Sequence, residues 1–302
     1  MSGRQAIRRA IDWGELAPLH IRARQVADGV YAGAHRSNRR GAGVEFGGYR
    51  EYVPGDDLRW LDRRSLLRHD RLVVRQFETE TDRVLCLLVD ASASMGYRGK
   101  GAPGAKIAFA AVIAAALARV ALTGGDPVSL TFLGGGERAP HVPRSAGRDQ
   151  FERVVAALES VEVGGDARVD GSMVDRALQG LARATRRGAI VVFLSDLIDL
   201  PDDSAERIAA IASTGRVLAV TQTLDPAEVE FPFTGTVRLR ALEGGAVVET
   251  DAETTRERYL AALAALTGSW QEATVRRGGR FTRATTTDDP VRVVRTILEA
   301  VR

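Results

Sequence analysis

The sequence predicts an α/β protein built on a doubly wound, mostly parallel sheet. Three observations predict it. Residues 84–89 and 189–194 are short apolar runs without polar alternation, the pattern of strands buried on both faces, and residues 127–133 and 216–221 read as further strands. Helical segments separate them in the order β-α-β-α-α-β-α-β, which implies right-handed crossovers and a sheet covered on both sides. Two of the runs end in acids and hydroxyls, Asp90/Ser92/Ser94 and Ser195/Asp196, at the C-terminal ends where open α/β sheets bind ligands.

Each element follows from its residues. Residues 1–22 form a polar, amphipathic lead-in, helical around residues 7–13. Residues 29–48 are rich in Gly, Arg and Ser and read as a loop with little regular structure. Residues 50–64, REYVPGDDLRWLDRR, turn at Pro54-Gly55. Residues 72–77 read as a strand, and a charged turn makes it a partner for the strand that starts at Val84. Residues 106–122 are an Ala-rich helix stopped by Gly124-Gly125. Residues 148–159, 173–185 and 204–213 are helices, with Ser172 at the N-cap of the second. After Asp225-Pro226, residues 236–242 and 246–250 form a hairpin about Gly244-Gly245. Residues 253–277 form a long helix, 280–285 a short strand, and 290–301 a closing helix with Pro290 in its first turn. The domains expected are a basic segment over residues 1–80 and an α/β domain over residues 81–302, with the hairpin as an insertion around residues 232–250.

Composition narrows the function classes. The 302 residues are 45% hydrophobic and 27% charged, ordinary for a globular chain. The single cysteine, Cys86, falls in an apolar run and excludes a disulfide framework or a cysteine-rich zinc site. Net charge is +3, and residues 1–75 hold 15 Arg, no Lys and 9 acids. The acids are interleaved and no aromatic ladder accompanies the arginines, which argues against nucleic acid as a partner. No signal peptide is read at the polar, Arg-rich start. The longest apolar run, residues 107–122, is short for a membrane span and contains Arg119. A cytosolic location is expected.

The motifs carry more. Asp90, Ser92 and Ser94 offer oxygen at every second position, which suits a hard cation such as Mg²⁺. Gly99-x-Gly101-x-x-Gly104 formally matches a dinucleotide fingerprint, but it starts ten residues after Val89 rather than in the strand-to-helix turn. The four histidines show no paired ligand spacing, and no Ser/His/Asp triad assembles. Arg50, Glu51, Asp56, Asp57, Arg59 and Asp62 read first as a salt-bridge cluster, with partner docking as the alternative.

Asp90-x-Ser92-x-Ser94 after an apolar strand resembles the first motif of the metal-ion-dependent adhesion site of von Willebrand factor A domains. Ser172 stands where that family has a threonine, and Asp196 matches its later aspartate. The resemblance implies Ser92, Ser94 and Ser172 as direct ligands of Mg²⁺ or Mn²⁺, with Asp90 and Asp196 in or behind the first shell, and a Rossmann-type fold. A more specific likeness covers about residues 30–225. REYVPGDDLRWLDRR, then LVVRQFETETD, then VDASASMG resemble the bacterial family catalogued as domain of unknown function 58. Arg50, Tyr52, Gly55, Asp56, Asp57, Arg59 and Asp62 form its box. Arg63 and Leu67 depart from the usual tryptophan and small residue. Members of that family are often encoded beside MoxR-type AAA+ ATPases, and many carry N-terminal membrane spans.

The expected function is a non-enzymatic, Mg²⁺-dependent protein-interaction module. A partner's Asp or Glu carboxylate would complete the coordination, and a MoxR-type ATPase would act with it on a protein complex. The alternatives are a Mg²⁺-dependent phosphatase using Asp90 as nucleophile, and a scaffold with an empty site. Ser92 stands where the phosphatase would need a second aspartate as acid/base.

Overall fold

The computed structural model describes residues 10–33, 45–51, 73–78, 83–136, 139–166, 170–240, 242 and 247–301. The chain divides into two units, residues 34–82 and the remainder, residues 1–33 with 83–302. The expected boundary at residue 80 therefore gives way to an excursion that leaves the larger unit after Gly33 and returns at Arg83.

The larger unit is built on a six-stranded sheet. Its strands are β3 (Leu85–Ala91), β4 (Val128–Gly134), β5 (Val142–Ser145), β6 (Ile190–Ser195), β7 (Val217–Leu224) and β10 (Arg280–Thr285), in the order β10-β7-β6-β3-β4-β5. All neighbours are parallel except the β4–β5 pair. This is a mixed α/β fold with a mostly parallel sheet, as the apolar runs predict. The edge strand β5 was not expected, because VPRS is short and polar and only its Val142 is buried.

The centre of the sheet is β3, whose seven residues are all buried. Its side chains alternate between two cores. Leu85, Leu87 and Val89 face α1 (Leu19–Gly33), α2 (Lys106–Thr123), α3 (Gln150–Ser160) and α8 (Pro290–Ala300). Val84, Cys86 and Leu88 face α4 (Ser172–Ala184), α5 (Ser204–Ala209) and Trp270 of α7 (Ala252–Arg276). Helix α2 lies almost wholly inside, with residues 106–118 buried in succession, so its apolar length covers the sheet. Each of its larger apolar side chains contributes about 1.5–3 kcal/mol on burial.

The N-terminal stretch corrects the expectation of a loop from residue 29 and shows no helix at residues 10–13; residues 7–9 of the expected helix lie outside the described residues. Helix α1 runs to Gly33 because Leu19, Ala23, Val26, Ala27 and Val30 share one face, and all five are buried. It is fastened by Tyr31 Oη donating to the Val120 carbonyl at 3.1 Å and by Arg295 donating to the Gly29 carbonyl at 3.1 Å.

In the second unit, β1 (Glu45–Glu51) pairs antiparallel with β2 (Val73–Glu78). The expected pairing of the second with the strand from Val84 is therefore corrected: β3 takes its partners from β4 and β6, which match its apolar length. Of the family box, Arg50 lies on β1, while Tyr52, Gly55, Asp56, Asp57, Arg59 and Asp62 lie outside the described residues. After β7, a short helix α6 (Pro226–Glu230) starts at an Asp225 capping box. The hairpin is β8 (Thr236–Arg240) with β9 (Val247–Asp251); the residues of its expected Gly244-Gly245 turn lie outside the described set.

Candidate metal centre

The strand that ends in Asp90 delivers its carboxylate to the C-terminal rim of the sheet, wholly buried. Its Oδ1 accepts the Ser92 N–H at 2.8 Å, and its Oδ2 accepts the Ser195 hydroxyl at 2.5 Å. Ser195 Oγ itself accepts the Leu197 N–H at 2.8 Å. The ends of β3 and β6 are thus tied by one carboxylate. Burial pushes Asp90 up to about 7, with the nearby negative Asp196 adding to it and the Ser195 and Ser92 bonds opposing it.

The turn after Asp90 lays Ser92 Oγ 3.0 Å from Ser94 Oγ. Adjacent oxygens of an octahedron about 2.1 Å in radius are about 3.0 Å apart, so this hydroxyl pair fits two neighbouring positions around Mg²⁺. The turn is compressed against its surroundings. Gly134 ends β4 at φ +82°, and a Cβ there would stand 2.8 Å from the Ser92 nitrogen. The carbonyl of Ala91 accepts Gly164 N–H at 2.9 Å, and Ala93 N–H donates to the Gly165 carbonyl at 3.3 Å. The loop of residues 161–166 is thereby held beside the hydroxyls.

Asp196 is also wholly buried, and its carboxylate is shared. Oδ1 accepts the Ile198 N–H at 2.9 Å, and Oδ2 accepts Lys106 Nζ at 2.7 Å. Lys106, itself unexposed, reaches Glu228 Oε1 at 2.5 Å as well. Burial pulls Lys106 downward most strongly, but Asp196 and Glu228 together outweigh it, and the ammonium holds its proton more tightly than an ordinary lysine. Burial raises Glu228, and Lys106 offsets part of that. Ionised, the three carboxylates and one ammonium leave two negative charges, the amount a divalent cation cancels. After Asp196 the backbone turns through left-handed conformations at Leu197 (φ 65°) and Asp199 (φ 58°), which non-glycine residues adopt only under local constraint.

Of the five predicted ligands, the geometry gathers Asp90, Ser92 and Ser94, and brings Asp196 close enough to act on Asp90. Ser172 makes its contacts at the start of α4: its hydroxyl donates to Asp170 Oδ1 at 2.5 Å, just ahead of the helix, and accepts from Arg176 on it. The residues bonded directly to the rim are Gly164 and Gly165, which precede Asp166 in the chain. Among the described residues no three His, Cys, Asp or Glu side chains converge as a metal site by themselves. A cation here depends on the hydroxyls.

Sequence reasoning missed Lys106, Glu228 and the role of Ser195. Lys106 did carry a signal. It is one of two lysines in the chain and opens an otherwise apolar helix. A cation at a helix N-terminus opposes the macrodipole, so its presence there implies acidic partners.

A family model described as "Protein of unknown function DUF58" matches residues 48–267. An uncharacterized protein of Mycobacterium tuberculosis is 32% identical over 239 residues, covering 78% of this chain and 72% of the relative. Among solved structures, the conserved hypothetical protein BatB of Bacteroides thetaiotaomicron is similar at a TM-score of 0.48 and 17% identity, covering 72% of this chain and 97% of that one. An aerotolerance-related membrane protein of Bacteroides fragilis follows at 0.47 and 17%, covering 72% and 98%. A von Willebrand factor type A structure from Catenulispora acidiphila gives 0.39 and 11%, covering 73% and 42%. The fold assignment above rests on the chain's own sheet order. The expected cytosolic location is corrected: the Bacteroides fragilis match is described as a membrane protein, and the cytosolic assignment is withdrawn.

Proposed function

The chain belongs to the DUF58 family of proteins of unknown function, and from that premise we propose that it is a non-catalytic, Mg²⁺-dependent protein-interaction module. The observation that carries the reading is the Ser92–Ser94 hydroxyl pair, 3.0 Å apart, backed by a buried and doubly hydrogen-bonded Asp90. Ser92 and Ser94 would hold Mg²⁺ or Mn²⁺ directly, Ser172 would exchange its Asp170 and Arg176 bonds for the role of third hydroxyl, and Asp90 and Asp196 would act from behind. The bound cation would supply a Lewis-acidic position for a partner's Asp or Glu carboxylate. The chain's own part is to fix the hydroxyls and keep the carboxylates dry.

The site favours recognition over turnover. A nucleophilic aspartate needs a free, accessible oxygen. Both oxygens of Asp90 are engaged, and the side chain is unexposed. The partner proposed is a MoxR-type AAA+ ATPase, acting with this module on a protein complex; this part rests on family resemblance.

Calorimetric titration of the full chain with Mg²⁺ and Mn²⁺ tests the centre. Saturable binding that is lost in Ser92→Ala/Ser94→Ala supports it. No heat of binding, or equal heats in both proteins, overturns it. Capture of the ATPase that depends on the cation and disappears in the same double variant tests the partner.

A further inference from the structure

The opposite edge of the sheet carries a second feature, which does not depend on the cation site. Arg83, Arg187, Arg216 and Arg280 stand at the N-terminal ends of β3, β6, β7 and β10. These four strands are neighbours in the sheet. The register places Leu85, Ile190 and Val217 in one row, so Arg83, Arg187 and Arg216 line one edge, while Arg280, level with Ala219, stands two residues further along the sheet. Neighbouring strands are about 4.8 Å apart, which makes a stripe about 15 Å long. Arg187 lies against the backbone of Gly215, beside Arg216. Arg186 adds to it, and Arg83, Arg186, Arg187 and Arg280 are all exposed.

Ordinary structural duties do not account for the stripe. Cations in the last turn of a helix offset its macrodipole, which explains Arg183 and Arg276. It does not explain arginines that precede strands. Glu206 is taken by Arg276 and Arg277. Among the described residues, none of the exposed four is in an ion pair, and Arg216 bonds only the uncharged Thr185 and Thr214. One acid, Asp126, stands ahead of β4 on the same edge.

Two apolar side chains stand on the same edge. Val217 begins β7 and is 38% exposed; Val275, just before Arg276, is 54% exposed. No exposed aromatic side chain accompanies them among the described residues, so nothing there would stack on nucleic-acid bases. Exposed apolar groups among unpaired arginines suit a surface with anionic headgroups above hydrocarbon.

We propose that this N-terminal edge docks on an anionic lipid bilayer. Strands of six to eight residues span about 20–25 Å, so docking there leaves the Asp90 rim facing away from the membrane, free for a protein partner.

Flotation of the full chain with phosphatidylcholine vesicles, with and without phosphatidylglycerol, tests this. Binding should require the anionic lipid and fall steeply as salt is raised. Arg186→Gln/Arg187→Gln/Arg280→Gln should bind on the order of a hundredfold more weakly, roughly fivefold per arginine, with an unchanged circular dichroism melt. Val275→Ser should weaken binding at high salt as well as low. Equal binding to neutral vesicles, no binding at low salt, or a triple variant that binds like wild type each overturns the proposal. So does an edge that binds duplex DNA through the same arginines while ignoring vesicles.

Discussion

Lys106 Nζ lies 2.7 Å from Asp196 Oδ2, and neither side chain has any exposure. An ammonium therefore already faces one oxygen of the carboxylate that the sequence marks as a metal residue. The other oxygen takes the Ile198 N–H. In the proposed centre Asp196 would act on a cation by its charge and through water, and direct coordination would fall to the hydroxyls of Ser92 and Ser94. The same ammonium binds Glu228, whose other oxygen accepts the Asp225 N–H at 2.8 Å in the α6 cap. Asp225 Oδ2 in turn accepts the Gly99 N–H at 2.8 Å. One lysine thus joins the rim to the cap of α6, and through it to the loop before α2.

Removing that ammonium strands two buried carboxylates. Lys106→Met keeps most of the apolar stem and is expected to lose about 3–5 kcal/mol of stability. Urea unfolding should show this as a lower midpoint at an unchanged slope. Lys106→Met/Glu228→Gln should recover part of the loss, because one of the stranded charges is gone. A single variant within about 1 kcal/mol of wild type would show that the triad carries little of the fold.

Gly134 is held at φ +82° against the Ser92 nitrogen, so the rim depends on the absence of a side chain there. Gly134→Ala is expected to cost about 1–3 kcal/mol, from backbone strain and the displaced turn. Mg²⁺ affinity should fall with it, because the hydroxyl pair rides on that turn. Gly125→Ala is the control: it has a similar φ of +85° and open space about its Cβ. It should lose stability but keep the cation. Equal affinity in wild type and Gly134→Ala would argue that the turn does not set the site.

The parallel sheet was legible because its central strands β3 and β6 are buried on both faces and so read as unbroken apolar runs. Asp90, Ser92 and Ser94 were legible because they follow such a run directly. What escaped is carried by long-range pairing. Helix α1 hides its apolar stripe among arginines, with Leu19, Ala23, Val26 and Val30 spaced for a helix but none forming a run. Residues 280–285 were recognised as a strand, yet RFTRAT says nothing of its place beside β7. The Lys106–Asp196–Glu228 triad joins residues 90 and 122 positions apart, which no local pattern encodes.

Cys86 is the second residue of β3, at 1% exposure, with Ser129 Oγ 3.0 Å from its sulfur. Burial pushes its thiol above the ordinary range, so little thiolate exists at neutral pH. Maleimide or Ellman's reagent should leave the native protein unlabelled and modify one thiol in denaturant. Fast labelling of the native chain would place the strand at the surface and contradict the sheet order.

Tyr259 tests the electrostatics around the triad from a residue that does not join it. Its ring packs on Phe231 at 4.9 Å between centroids. Burial, then the negative Glu228, pushes its phenol up to about 12, while Lys106 opposes this. The unfolded chain releases that proton near pH 10. Between about pH 10 and 12 the folded state holds a proton that the unfolded state has lost, so stability falls as pH rises through that window. Below pH 10 the two states hold it equally and the slope from this group vanishes. Alkaline titration of phenolate absorbance should show a late-ionising tyrosine in the native protein that is absent from Tyr259→Phe. The variant should also lose part of the alkaline decline in unfolding free energy. If Tyr259→Phe leaves both curves unchanged, neither burial nor the negative Glu228 raises this phenol, and the environment drawn for the ring fails.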